Sequence, residues 1–222
     1  RAGEMPAAFF TRPDMVAAPQ QTDHPDVAPL LADQATRSTL AQEELAAYFE
    51  ETGTTLADLP PITLVYNDAE LHVAIAEAIQ EMWANELGVE VALSGMEWAT
   101  YLDLRENDAP QIYRASWCYD YPDAHNWDFD VFRSDSAQAA DGGNEPNWTN
   151  ENFDALVQEA AAEKDPDARR ELYGQAEVIL TWEDAVVAPI YYYSTTYMVS
   201  PAVEAPISNT GIERFEKWDI VN

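Results

Sequence analysis

The chain has 222 residues, 47% of them hydrophobic, with 41 Asp and Glu against 11 Lys and Arg, and so carries a formal charge of −30 with histidine neutral. At ~100–200 residues per domain this length allows one large domain or two small ones, and the apolar content supports a sizeable core, which excludes a disordered acidic tail. A surface this negative repels phosphate, and the basic residues form no stripe, so nucleic acid and anionic membrane surfaces are excluded as partners.

No apolar run reaches the ~18 residues that a membrane helix needs, and the uncharged stretch from Ala185 to Ala202 is interrupted by Pro189 and by hydroxyl side chains. Cys118 is the single cysteine, which rules out an internal disulfide and a cysteine-built metal site within one copy. The first residue is Arg1, not Met, and reads as the start of a processed or truncated chain whose function needs parts outside it.

Residues 1 to about 35 carry five prolines, Pro6, Pro13, Pro19, Pro25 and Pro29, and read as an extended, loop-rich leading segment. Thr39 and Gln42 form a capping-box signature before Leu40, Leu45, Ala46 and Phe49, which predicts a helix over about 39–50 ending near Gly53. After Pro60-Pro61, Ile62 to Tyr66 reads as a strand, and Leu71, Ile75, Ala78, Ile79, Met82 and Trp83 recur at helical spacing up to Gly88. Val89, Val91 and Leu93 alternate as a second strand, Glu97 to Arg105 reads as a helix, and Gln111 to Trp117 as a third strand. This alternation predicts a sheet with helical crossovers.

From Cys118 to about Trp148 the pattern dissolves into aromatic, acidic and Gly/Asn-rich sequence that includes Gly142 and Gly143; long irregular segments of this kind are often functional. Two helices follow, one over about Asn150 to Glu163 and one opened by Asp165 as N-cap with Pro166 at the first helical position. Val186 to Tyr193 reads as a buried strand, Tyr197 to Val199 as a short extended piece, and Glu216 to Ile220 as a terminal strand.

The stretch Arg114 to Tyr121 carries the most chemistry, because it places an arginine inside a strand and Asp120 just beyond the strand's C-terminal end, where open α/β sheets bind ligands. In so acidic a chain Arg114 needs either an internal carboxylate or an anionic ligand, while Asp120 reads as a ligand anchor or as an ordinary turn or cap residue. Tyr191 and Tyr193 face one side of a strand and Tyr192 the other, lining a cleft or packing in the core. Asp120, Asp123, His125, Asp128 and Asp130 look like a metal cluster on paper, but their spacing lacks the glycine and glutamate of a calcium loop, so no metal and no cofactor are expected. His24 and His72 read as surface or cap residues. No nucleophile elbow, Walker loop or zinc-protease helix occurs, and a carboxylate pair for hydrolysis carries no information among 41 acids.

Taken together, Tyr66-Asn67 to His72, Leu87-Gly88-Val89, Glu97-Trp98 with Tyr101-Leu102-Asp103 and Arg105, Arg114-Ala115, Trp117-Cys118, Asp120-Tyr121, Ser134-Asp135-Ser136, Leu172-Tyr173 and Ala188 to Tyr193 resemble the solute-binding proteins of peptide-type ABC importers, family 5, in their oligopeptide-binding form. The resemblance covers nearly the whole chain but only the C-terminal part of such proteins. It implies an α/β fold, one lobe of a type II periplasmic-binding (venus-flytrap) protein with a mixed sheet flanked by helices. Residues 1–194 would be the C-terminal ligand-binding lobe, with its Pro-rich start a surface stretch, and 195–222 the tail returning to an absent N-terminal lobe, leaving the strand at 216–220 without its sheet.

By the same resemblance Asp120 would pair with a peptide's α-ammonium, and Trp117 and Cys118 would contact its backbone or frame side-chain pockets. Arg105, Arg114 and His72 would neutralise peptide carboxylates, Tyr193 would hydrogen-bond the main chain, and Trp98 would form a pocket wall. No residue would be catalytic. The implied partners are short peptides, an ABC permease in the inner membrane and the missing N-terminal lobe, with a periplasmic or extracytoplasmic location. The run Pro122 to Trp127 stands closer to the dipeptide and more general members, and nickel-chelate or oligosaccharide binders share the fold, so ligand identity does not follow from it. An acidic hydrolase is the reading from outside the family.

Overall fold

The structure is a computed structural model that describes residues 3–135, 146–206 and 214–221. In chain order its elements are β1 (Met5–Pro6), α1 (Gln34–Thr52), β2 (Ile62–Asn67), α2 (Glu70–Leu87), β3 (Val91–Met96), α3 (Trp98–Asn107), β4 (Ile112–Tyr113), α4 (His125–Phe132), α5 (Glu151–Ala162), α6 (Pro166–Val178), β5 (Tyr191–Tyr192), β6 (Val203–Glu204) and β7 (Asp219–Ile220). Contacts divide the chain into two compact units, one formed by residues 29–117 with 137–148, the other by residues 1–28, 118–136 and 149–222. No helix among the described residues is long and apolar enough to cross a membrane.

The first unit is built on a three-stranded parallel sheet in the order β3-β2-β4. The central strand β2 runs in register from Ile62 opposite Val91 to Asn67 opposite Met96, and on its other edge Leu64 and Val65 face Ile112 and Tyr113. Parallel strands need a crossover, and α2 supplies it: Ala76 is buried, and Val73, Ile79, Trp83 and Leu87 recur at helical spacing on the core that Leu64, Tyr66, Val89 and Val91 form. Gly88 ends α2 in the left-handed region at φ 68°, which a glycine adopts without a Cβ penalty. The helix expected at 39–50 begins five residues earlier. Asp33 is its N-cap, accepting from the Thr36 N–H at 2.9 Å, whereas the Thr39 hydroxyl sits inside the helix and donates to the Ala35 carbonyl. The strand expected over 111–117 is confined to Ile112–Tyr113, so Arg114 lies just past its end, still tied to the sheet by its N–H on the Val65 carbonyl at 2.9 Å.

The second unit packs α4, α5 and α6 around a shared core. Phe153, Val157 and Ala160, spaced 4 and 3 apart on α5, are all fully buried, as are Tyr173 and Ala176 of α6. Both helices start where the capping signals place them: Asn150 accepts from the N–H groups of Asn152 and Phe153, and Asp165 from those of Asp167 and Ala168 with Pro166 behind it. After Val178 the helix continues as a π turn over Ile179–Glu183.

Several expectations are corrected in this unit. The Pro-rich leading segment is not only surface: Ala8, Phe9, Met15, Ala18 and Val27 are buried in the core, while residues such as Met5 and Val16 are exposed. The irregular stretch after Cys118 contains α4, whose inward residues Asn126, Trp127, Asp128, Val131 and Phe132 mix polar and apolar types and so hide the helical period; Gly142 and Gly143 lie outside the described residues. The strand expected over 186–193 is reduced to Tyr191–Tyr192, paired antiparallel with Met5–Pro6, and Tyr197–Val199 forms no strand. The terminal strand does not lack a partner, since Asp219–Ile220 pairs with Val203–Glu204. Among the described residues parallel and antiparallel pairing both occur beside the helices, the parallel strands in one sheet and the antiparallel ones in two-stranded ladders.

Candidate functional site

In the first unit the predicted residues gather around Tyr101, which is fully buried. Its hydroxyl donates to the Arg114 carbonyl, and its ring lies against Trp98 at 6.0 Å between centroids. Trp98, Tyr101 and Arg105 sit three and four apart on α3 and therefore share a face. Arg105 places its guanidinium 5.4 Å from the Tyr101 ring and 5.3 Å from the Tyr113 ring, so two phenol faces hold the cation at the C-terminal end of α3, where the helix dipole also favours it. Glu97 caps the start of α3 by accepting from the N–H groups of Ala99 and Thr100, which fixes Trp98 at its first position, half exposed. His72, in the first turn of α2, is half-buried, and burial first and the positive charge of Arg114 second hold its pKa below the usual histidine value. The shift favours the uncharged imidazole, which can donate a hydrogen bond. Trp117 is half-buried in the extended run after β4.

In the second unit Cys118 is a free, exposed thiol and Asp120 is exposed. The Asp120 N–H donates to the Asn126 Oδ1 at 2.8 Å, and Asn126 Nδ2 returns a bond to Asp120 Oδ2 at 3.3 Å and another to Asp130 Oδ2 at 3.0 Å. Asp130 also accepts from the Tyr121 hydroxyl, which stands 2.6 Å from His125 Nδ1. Burial and the bond to Asp130 push the Tyr121 phenol up, so it stays a neutral donor. Tyr192 points inward, its hydroxyl donating to the Phe9 carbonyl at 2.7 Å, while Tyr193 is exposed with its ring edge-on to Tyr191 at 5.1 Å. The Tyr193 carbonyl accepts from Arg12, which is otherwise paired with Asp14.

Of the five acidic and histidine residues that look like a metal cluster, Asp123 and Asp128 engage side chains outside the set, while Asp120, Asp130 and His125 are linked through Asn126 and Tyr121, with His125 Nδ1 3.5 Å from Asp130 Oδ1. Arg169 forks onto both oxygens of Asp123 at 2.9 and 2.7 Å, Asp128 is buried against Thr11 and Glu177, and Asp130 faces Asn126 and Tyr121. No group of three metal-ligating side chains occurs among the described residues.

Sequence reasoning missed Tyr101 and Asn126. The spacing of Tyr101 between Trp98 and Arg105 on one helix was a usable signal; nothing local marked Asn126, because its role depends on two carboxylates that α4 brings to it.

Residues 10–139 match the family described as bacterial extracellular solute-binding proteins, family 5 Middle. The chain is 38% identical over 159 residues to the oligopeptide-binding protein OppA of Bacillus subtilis, a stretch that is 71% of this chain and 28% of the relative. The fold superposes on the murein tripeptide-binding protein MppA of Escherichia coli with a TM-score of 0.78 at 30% identity, covering 99% of this chain and 41% of that one. It also superposes on Haemophilus influenzae OppA in complex with the peptide RPPGFSPFR, with a TM-score of 0.73 at 28% identity over 91% of this chain and 37% of that one. The chain therefore spans well under half the length of these relatives, whose names describe binding proteins. By the match over residues 10–139, the chain belongs to the bacterial extracellular solute-binding proteins of family 5.

Proposed function

We propose that this chain is the C-terminal ligand-binding part of the extracytoplasmic binding component of an ABC importer, that it takes short peptides, and that it catalyses no reaction. The observation that carries this reading is Asp120: within a chain of this family it is an exposed carboxylate, held by Asn126 and two residues after the exposed Cys118. An ammonium group is shared by every free peptide, so a carboxylate that grips it binds peptides without reading their sequence. Arg105 and Arg114 supply the cations for peptide carboxylates, His72 supplies an uncharged N–H donor, Trp98 and Trp117 are apolar walls, and Cys118 and Tyr193 meet the peptide main chain. Residues 195–222 act as the tail that returns to a first lobe, and the permease reads the loaded protein.

Calorimetry on the complete gene product with trialanine and with its N-acetylated form tests the reading. Binding of the free peptide and weak or absent binding of the acetylated one is expected. Equal affinity for the two removes the ammonium from recognition and sinks the role given to Asp120.

A further inference from the structure

We infer that Asn126 is the residue that positions Asp120 for a ligand's ammonium group, an assignment that rests on the peptide-binding reading above. Asn126 sits in the first turn of α4 and is 1% exposed. A backbone N–H approaches one end of its amide and two carboxylate oxygens approach the other, so hydrogen-bond chemistry allows a single orientation: Oδ1 toward the Asp120 N–H and the NH2 group toward Asp120 Oδ2 and Asp130 Oδ2. One buried side chain thus fixes both the backbone and the carboxylate of an exposed residue six positions earlier.

The second contact separates positioning from loop closure. Holding the 120–126 loop shut requires only the backbone bond at 2.8 Å, and an apolar or smaller neighbour would serve the remaining volume. The bond from Nδ2 instead restrains the rotation of the Asp120 carboxylate, which is the group expected to meet the ligand. A carboxylate already held loses less conformational freedom on forming an ion pair, so the pairing is stronger than that of a freely rotating aspartate. Asp130 has a defined part in this. By taking the other N–H of the same amide, with its own place fixed by the Tyr121 hydroxyl, it keeps the NH2 group turned toward Asp120 and adds a second negative charge near the ammonium position.

The test compares the affinities of trialanine and N-acetyl-trialanine for the complete gene product and for its Asp120→Asn, Asn126→Leu and Asn126→Ser variants, and reads the ratio of the two. Wild type is expected to prefer the free peptide and Asp120→Asn to lose that preference. Asn126→Leu, close in size but without donor or acceptor, is expected to reduce the ratio by about tenfold, the scale of one hydrogen bond to a charged group, and Asn126→Ser, whose hydroxyl replaces only one of the contacts, by less. If Asn126 only stabilises the fold, both peptides weaken together and the ratio stays at its wild-type value, which overturns the assignment. Should the Leu variant fail to fold, the Ser variant decides by the same ratio. A wild type indifferent to acetylation refutes the ammonium reading and the Asn126 assignment with it. A preference lost in Asp120→Asn but kept in both Asn126 variants refutes the positioning role alone.

Discussion

At the scale of single residues, the acids that define this chain behave in opposite ways according to burial. Asp120 is exposed, whereas Asp128 and Glu177 are fully buried and interact with one another. Glu177 accepts from the Phe10 and Thr11 N–H groups at 2.7 and 2.6 Å and is the natural anion of the pair. Asp128 accepts only the Thr11 hydroxyl at 3.2 Å, and its Oδ2 finds no donor among the described residues. Burial, and then the charge of Glu177, push its pKa well above the usual aspartate value, so it holds the proton and shares it with Glu177. The sign of the pH effect follows. Above the ordinary aspartate pKa of about 3.9 the unfolded chain releases a proton that the folded one retains, and each pH unit from there up to the raised value costs about 1.4 kcal/mol of stability. Asp128→Asn keeps a donor toward Glu177 without a proton to lose. Its melting temperature relative to wild type is therefore expected to climb from pH 4 to pH 7, and a difference that stays constant with pH would contradict the shared proton. Taking the difference between two proteins of nearly equal charge removes the background titration of the other acids.

Elements show how far local signals reach. Gly174 lies within α6, where alanine would ordinarily gain about 1 kcal/mol of helix propensity, but a Cβ there runs into the His24 imidazole. His24 is 9% exposed and edge-on to the buried Phe9 at 5.3 Å, so it has no free space to retreat into. Overpacking of this kind costs about 1–3 kcal/mol and outweighs the propensity gain. Gly174→Ala is expected to lower stability by roughly 1–2 kcal/mol in urea unfolding, and His24→Ala in the same chain to relieve most of that loss, a coupling that two independent sites would not show. Nothing in the sequence announced this contact, and His24 reads there as a surface residue. What the sequence does announce is local: Asp165-Pro166, Asn150 and Glu97 mark helix starts, and Gly88 an end, because caps act within a few residues. The short ladders resist such reading because Tyr191–Tyr192 is a strand only through Met5–Pro6, far away in the chain. Helix α4 resists it because the inward Asn126 and Asp128 break the apolar period that would reveal a helix. The same split holds at the candidate site: Asp120, Arg105 and Arg114 are visible in the sequence as charged residues, but the strand expected to carry Arg114 ends at Tyr113, and the groups these residues contact, Asn126 and Tyr101, are defined by the fold.

Across the whole molecule, the charge of −30 leaves acids far in excess of the basic residues that could pair with them. Several of the eleven basic residues form ion pairs with a neighbouring acid, as Arg12 does with Asp14, Arg169 with Asp123, Arg170 with Asp167 and Arg214 with Glu216, while Arg105 and Arg114 cluster about Tyr101. Most of the acids among the described residues are exposed, and the mutual repulsion of so many negative charges favours expansion of the chain. Repulsion between exposed charges is screened over a Debye length of about 10 Å at 0.1 M salt and about 3 Å at 1 M, so an acidic surface of this density suits a saline extracytoplasmic setting. The melting temperature is expected to rise as NaCl increases from a few millimolar to 1 M, with the steepest gain at the low end, where the screening length changes most. The Asp128–Glu177 pair is buried beyond the reach of this screening, so the pH-dependent difference between wild type and Asp128→Asn should persist at 1 M NaCl. A melting temperature that is flat or falls with salt would show that the acids are already compensated within the fold, and the surface charge would then say nothing about habitat.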